Sequence, residues 1–102
     1  MKIDCLKADD GTPVMHLAGR LDFTKREAFV EALDHFLGRV TVPEVRVNCA
    51  CLDYLDSSGL GMLLILRDRA SQLGCTVALV ECPPAVRDVL TTVQFGRLFR
   101  VA

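Results

Sequence analysis

The residues with the most chemical capacity lie in LDSSGLGMLLILRDRA, residues 55–70. Ser57 and Ser58 stand behind Asp56 and ahead of Gly59, Leu60 and Gly61, without an adjacent base. A serine at a strand-to-helix turn could be a hydrolase nucleophile, but that elbow requires G-x-S-x-G. Leu55 fills the first glycine position if Ser57 is the nucleophile, Asp56 fills it for Ser58, and no histidine follows. No catalytic residue is assigned, and the chain is not expected to be an enzyme. Gly59 and Gly61 form G-x-G alone, without the later glycine or the lysine of a phosphate-cradling loop, so no nucleotide cofactor is expected. Two readings of the serines remain open. One of them, or Asp56, caps the free N–H groups of a helix; or a hydroxyl is displayed for phosphorylation, which adds roughly −1.5 to −2 charges and three acceptor oxygens. Asp56, Asp53 and Asp22 would then crowd the new charge.

The helix behind this entry carries a second signal. At 100° per residue Met62, Leu63, Leu66, Ala70 and Leu73 form one stripe, assigned to the core, and Gly74 offers a stop. The other face is polar at Arg67, Asp68, Ser71 and Gln72, but its first two turns carry Leu60, Gly61, Leu64 and Ile65. Such a patch is either covered by a neighbouring element or is a docking surface.

The surrounding elements follow from pattern. Two extended runs between Lys2 and Leu21 flank Asp9, Asp10 and Gly11, a hairpin composition. Thr24 and Glu27 have capping-box spacing, and Phe29, Leu33, Phe36 and Leu37 recur at helical intervals up to Gly38. VRVNC (45–49) and TVALV (76–80) read as strands, the second covered on both faces. Pro84 suits the first turn of a helix over about 85–92, and LFRV supplies a last short strand. Strands alternating with helices imply parallel pairing beyond the hairpin: an α/β domain with a mixed sheet of four to five strands and three to four helices. Ser57 falls just past a strand, where functional residues of such sheets gather.

The 102 residues make one domain, and 51% hydrophobic content suffices for a core. A net charge of −1 lacks the basic field that nucleic-acid binding needs. The apolar runs are too short to span a bilayer and the charged start does not read as a signal peptide, so neither membrane insertion nor export is expected, and the location is cytoplasmic. Five cysteines, an odd number without a CxxC pair, are read as small hydrophobes rather than as a disulfide or metal set. His16 and His35 have no third ligand at a recognisable spacing, and no metal site is assigned.

LDYLDSSGLGMLL, preceded by VRVNCACL and followed by TVALVECPPAVRDVL, resembles the STAS domain of bacterial anti-sigma-factor antagonists. LAGRLDFTKREAF is similar to that family's link between the second strand and first helix, so the likeness covers nearly the whole chain and one such domain is expected over residues 1–102. The resemblance implies a phosphorylation-controlled partner switch. The unphosphorylated domain binds a serine-kinase anti-sigma factor, phosphorylation of the serine after the aspartate releases it, and a metal-dependent serine phosphatase resets it. By position the acceptor is Ser57, with Ser58 second. Asp22, Asn48, Asp56, Ser58, Gly59, Leu60 and Leu64 are the implied partner-binding residues. Arg20 departs from the acidic residue expected before Leu21 and Asp22, and with LFRVA so near the end of the sequence the terminal helix of some relatives is not expected here. A monomer is expected. The alternative is a constitutive STAS scaffold subunit of a transport or other signalling complex.

Overall fold

The computed structural model describes residues 2–38, 40–97 and 99–101. Its elements run β1 (Lys2–Lys7), β2 (Pro13–Leu21), a 3-10 turn (Phe23–Lys25), α1 (Arg26–Leu37), β3 (Glu44–Leu55), α2 (Ser57–Gln72), β4 (Thr76–Val80), α3 (Pro84–Thr92), a second 3-10 turn (Phe95–Arg97) and β5 (Arg100–Val101). Part of the expected LFRV strand, residue 98, lies outside the described residues. The strands form one sheet in the order β1-β2-β3-β4-β5, antiparallel at β1–β2 and parallel elsewhere. The α/β fold with a mixed five-stranded sheet and three helices therefore stands as the sequence implied.

Sequential strand order has a physical consequence. Parallel crossovers are right-handed, so each step in the same direction lays its helix on the same face of the sheet. One core cluster joins Met15 and Leu17 of β2, Val45 and Val47 of β3, Leu79 of β4, Phe29 and Leu33 of α1, Met62 and Leu66 of α2, and Leu90 of α3. Each such buried side chain contributes about 1.5–3 kcal/mol relative to exposure.

The opposite face has no helix layer among the described elements. Val14 and Ala78 are buried there, outside the main cluster. Ala78 is in register with Arg46 on one side and Arg100 on the other, and long arginine stems cover apolar floor while keeping their heads wet. The heads are tied in a ladder: Arg46 to Asp10 at 2.9 Å, Arg46 to Glu44 at 4.0 Å and Arg100 to Glu44 at 2.6 Å. Thus β4 is covered on both faces, the second time by side chains rather than helices.

Several local expectations change. The capping box at Thr24 and Glu27 does not form: the Asp22 carboxylate accepts from the Thr24 N–H at 3.0 Å, and α1 starts at Arg26 without a side-chain cap. The cap sits one 3-10 turn earlier because an aspartate was already placed to take the first free donor. Leu73 is 57% exposed rather than core, since it is the residue at which α2 ends. The Gly74 N–H donates to Ser71 O and the Cys75 N–H to Ala70 O, and Gly74 adopts φ +73°. This is a Schellman turn, and it carries Leu73 off the stripe.

β3 is also longer than VRVNC. Five steps along β2, from His16 to Leu21, match seven along β3, from Asn48 to Leu55, and two register shifts absorb the difference. The strand therefore continues to the residue before Asp56.

Candidate functional site: the rim where β2 and β3 end

Leu21 and Leu55 are register partners at the carboxyl ends of β2 and β3. α2 starts immediately beyond, and its first turn lies against the end of β2. A Cβ on Gly59 would sit 2.4 Å from Leu21 O and 2.7 Å from a Leu55 methyl, so glycine is what lets helix and strand backbones meet. That contact places Asp22 and Phe23, which follow Leu21, on one rim with Asp56, Ser57 and Ser58.

Asp56 is the N-cap of α2. Its backbone is extended, and its Oδ1 accepts from the Gly59 N–H at 2.9 Å. The cap role is thus filled by the carboxylate, which frees the serines at the first two helical positions. Both are exposed, and among the described residues no hydrogen bond engages either hydroxyl. No histidine bonds to them; His16 lies on the open sheet face and His35 in a groove beside α1. The hydroxyls therefore face solvent.

A chain of polar contacts stitches the two strand ends together. The Arg20 guanidinium lies 3.9 Å from the centre of the Tyr54 ring and its Nε 3.7 Å from Asp22 Oδ2. The Tyr54 hydroxyl donates to Asp56 Oδ2 at 3.4 Å. Hydrogen bonds from the Thr24 hydroxyl and N–H, with the Lys25 charge, hold the Asp22 carboxyl below the usual carboxylate range. Arg20 is therefore fixed by cation–π and ionic contacts within the rim.

The apolar part of the rim resolves the open question of α2. Leu60, Leu64 and Ile65 are half-buried, packed on the edge of the core with part of each side chain facing out. Nothing lies within 4 Å of where a Cβ on Gly61 would stand. The face is neither sealed nor bare. Phe23, 72% exposed, extends it from the 3-10 turn. Sequence reasoning missed Phe23, although an aromatic placed between a strand end and a helix start has no core face to enter.

The structure brings Asp22, Asp56, Ser57, Ser58, Gly59, Leu60 and Leu64 to this rim. Asn48 stands apart, seven residues of β3 upstream of Leu55. It pairs with His16 and Val80 and lines an open-face cavity of 580 Å³ with Val14, Arg46 and Glu81. Its Oδ1 accepts from the Ala50 N–H at 2.9 Å, satisfying a donor where the first register shift interrupts the ladder. Among the described residues no cluster of three or more metal-ligating side chains occurs, and no helix is long and apolar enough to cross a membrane.

A five-stranded mixed sheet with one-sided helices, carrying an aspartate-capped Ser-Ser-Gly-Leu-Gly entry at the strand rim, defines a small α/β domain with two exposed hydroxyls at that rim. The family model for the STAS domain matches residues 6–102, and the chain belongs to the STAS domain family. It is 35% identical to a STAS-domain containing protein, PA14_20770, of Pseudomonas aeruginosa (strain UCBPP-PA14), over the full length of both chains. Among solved structures it is similar to the anti-sigma factor antagonist SpoIIAA in its unphosphorylated form, at 23% identity and a TM-score of 0.78 over 99% of this chain and 88% of that one. It is also similar to Moorella thermoacetica RsbS S58E, at 25% identity and a TM-score of 0.75 over 100% of this chain and 86% of that one.

Proposed function

We propose that this domain, residues 1–102, is a cytoplasmic anti-sigma-factor antagonist that works as a phosphorylation-controlled switch without catalysing a reaction. Unphosphorylated, it captures an anti-sigma factor that is also a serine kinase. Phosphorylated on Ser57, it lets go, and a serine phosphatase restores it. The observation that carries this reading is the uncommitted Ser57 hydroxyl. Asp56 has taken the cap, and the hydroxyl stands in solvent, with half-exposed Leu60 and Leu64 one and two turns further along α2.

The chemistry divides cleanly. The kinase supplies ATP and metal; the Ser57 oxygen attacks the γ-phosphorus, the bond to ADP breaks and the hydroxyl proton leaves to the kinase's base. At α2 the product has mixed effects, because the helix N-terminus favours an anion while Asp56 opposes one. For a partner seated on Leu60 and Leu64 the effect has one sign. The phosphate must be stripped of water or pushed against the docked surface, and binding weakens.

Incubation with the cognate kinase and ATP, followed by peptide mass spectrometry, should place the phosphate on Ser57. Modification confined to residues other than Ser57 and Ser58 overturns the assignment. In pull-down, Ser57→Ala should retain kinase capture and Ser57→Asp should lose at least roughly tenfold, about 1.4 kcal/mol. Equal capture by both, together with stable co-purification in a transport complex, would instead mark a constitutive scaffold. A fluorophosphonate probe should leave Ser57 and Ser58 unlabelled.

A further inference from the structure

Three of the five cysteines are buried, and the β3–β4 register brings two of them, Cys49 and Cys82, into the same end of the core. Cys49 follows Asn48, the last residue of β3 paired with β4, and Cys82 lies two residues beyond its partner Val80. Between them Glu81 takes φ +57°, a left-handed turn, and Cys82 enters the same core cluster as Cys49. The Cys49 thiol has two acceptors in reach, the Val47 carbonyl at 3.9 Å and the Cys82 sulfur. Cys82 directly precedes Pro83, the N-cap of α3, and Arg87 stands one turn into that helix.

This environment makes the two sulfurs unlike. The hydrogen bond from Cys49 draws the Cys82 thiol down to about 7 against the opposing effect of burial, with the Arg87 charge helping. A helix N-terminus adds to the same tendency. The same bond, together with burial, pushes the Cys49 thiol far up. Cys82 is also the one a small reagent can reach, 8% exposed against 1% for Cys49.

We propose that Cys49 and Cys82 form an oxidisable dithiol that a hydroperoxide converts to a disulfide, tying β3 to the entrance of α3. The Cys82 thiolate attacks the peroxide; the S–O bond forms as O–O breaks, and an alcohol or water leaves. Cys49 sulfur then attacks Cys82 sulfur, S–S forms as S–O breaks, and the departing hydroxide takes the Cys49 proton as water. Two thiols and one hydroperoxide become a disulfide, an alcohol and water. The tie bears on the switch region, since Ala85, Val86 and Val89 of α3 face Asp53, Tyr54 and Leu55 of β3 across a shallow cleft.

The test uses the reduced full chain with hydrogen peroxide, alkylation under denaturing conditions and peptide mapping. The expected result is loss of two free thiols, an intact mass lower by two hydrogens, a peptide joining Cys49 to Cys82, and reversal by dithiothreitol. Removing the exposed thiols with Cys5→Ser and Cys51→Ser should leave this outcome unchanged. In Cys49→Ala, which also removes the hydrogen bond that lowers the Cys82 thiol, Cys82 should oxidise more slowly than in wild type and stop at a sulfenic acid captured by dimedone. Oxidation confined to Cys5 and Cys51, with Cys49 and Cys82 both alkylated, overturns the proposal. So does wild-type Cys82 advancing to sulfinic acid without a cross-link. The wild-type mapping decides the matter even where a variant fails to fold.

Discussion

Two glycines two positions apart, Gly59 and Gly61, do opposite work. At Gly59 a methyl would enter the Leu21 carbonyl and a Leu55 methyl, so Gly59→Ala should destabilise the fold by about 1–3 kcal/mol, the usual range for forced overpacking. Gly61 has open space around its Cβ direction. Gly61→Ala should therefore gain roughly 0.5–1 kcal/mol from helix propensity, while its new methyl weakens capture of the partner proposed above. Urea unfolding of both variants measures the first pair of effects and pull-down the second; equal stability changes would refute the close-contact account. The sequence exposed the two glycines but not the difference between them. That difference depends on the end of β2 at Leu21, 38 residues earlier in the chain. The same holds for Cys49 and Cys82, whose spacing matches no motif and whose meeting is made by the β3–β4 register.

At the scale of elements, what was legible was whatever repeats with a single period. The stripe of α1, the core side of α2 and the alternation in VRVNC all kept their period, and the structure has them. Where a local device overrides period, the pattern misleads. The Schellman turn exposes Leu73, two register shifts carry β3 through ACLDYL with broken alternation, and Asp22 caps the first helical segment before Thr24 can. Asp22→Ala should accordingly lower the midpoint of urea unfolding, and Thr24→Ala should lower it less. Were Thr24→Ala the costlier change, the capping box would have to be restored. Asn48 belongs to this scale too, for its bond to the Ala50 N–H is a property of the interrupted ladder and not of the serine rim.

Across the whole molecule, the undecorated side of the sheet is held by charge. Asp10 anchors the ladder: hydrogen bonds from the Thr12 N–H and hydroxyl, then the Arg46 pair, draw its carboxyl from 3.8 down to about 2. A carboxyl lowered on folding contributes stability that is complete above its unfolded value and lost as pH falls through its folded one. Asp10→Asn should thus be less stable than wild type from neutral pH to about 4, and the gap should close as pH approaches 2. Chemical unfolding across that window checks it, and a gap that persists at the acid end would show the carboxylate is not its source. Single-sequence reasoning foresaw two covered faces for β4 but not that one cover would be arginine stems, because strand order decides which side the helices take. The seat of Gly59 on Leu21 bears last on how such a domain can communicate. With no side chain between the two backbones, the entrance of α2 has no slack in which to sink or tilt. A phosphate placed at Ser57, as proposed above, would then be read from outside, as a mark on a fixed panel rather than the throw of a lever.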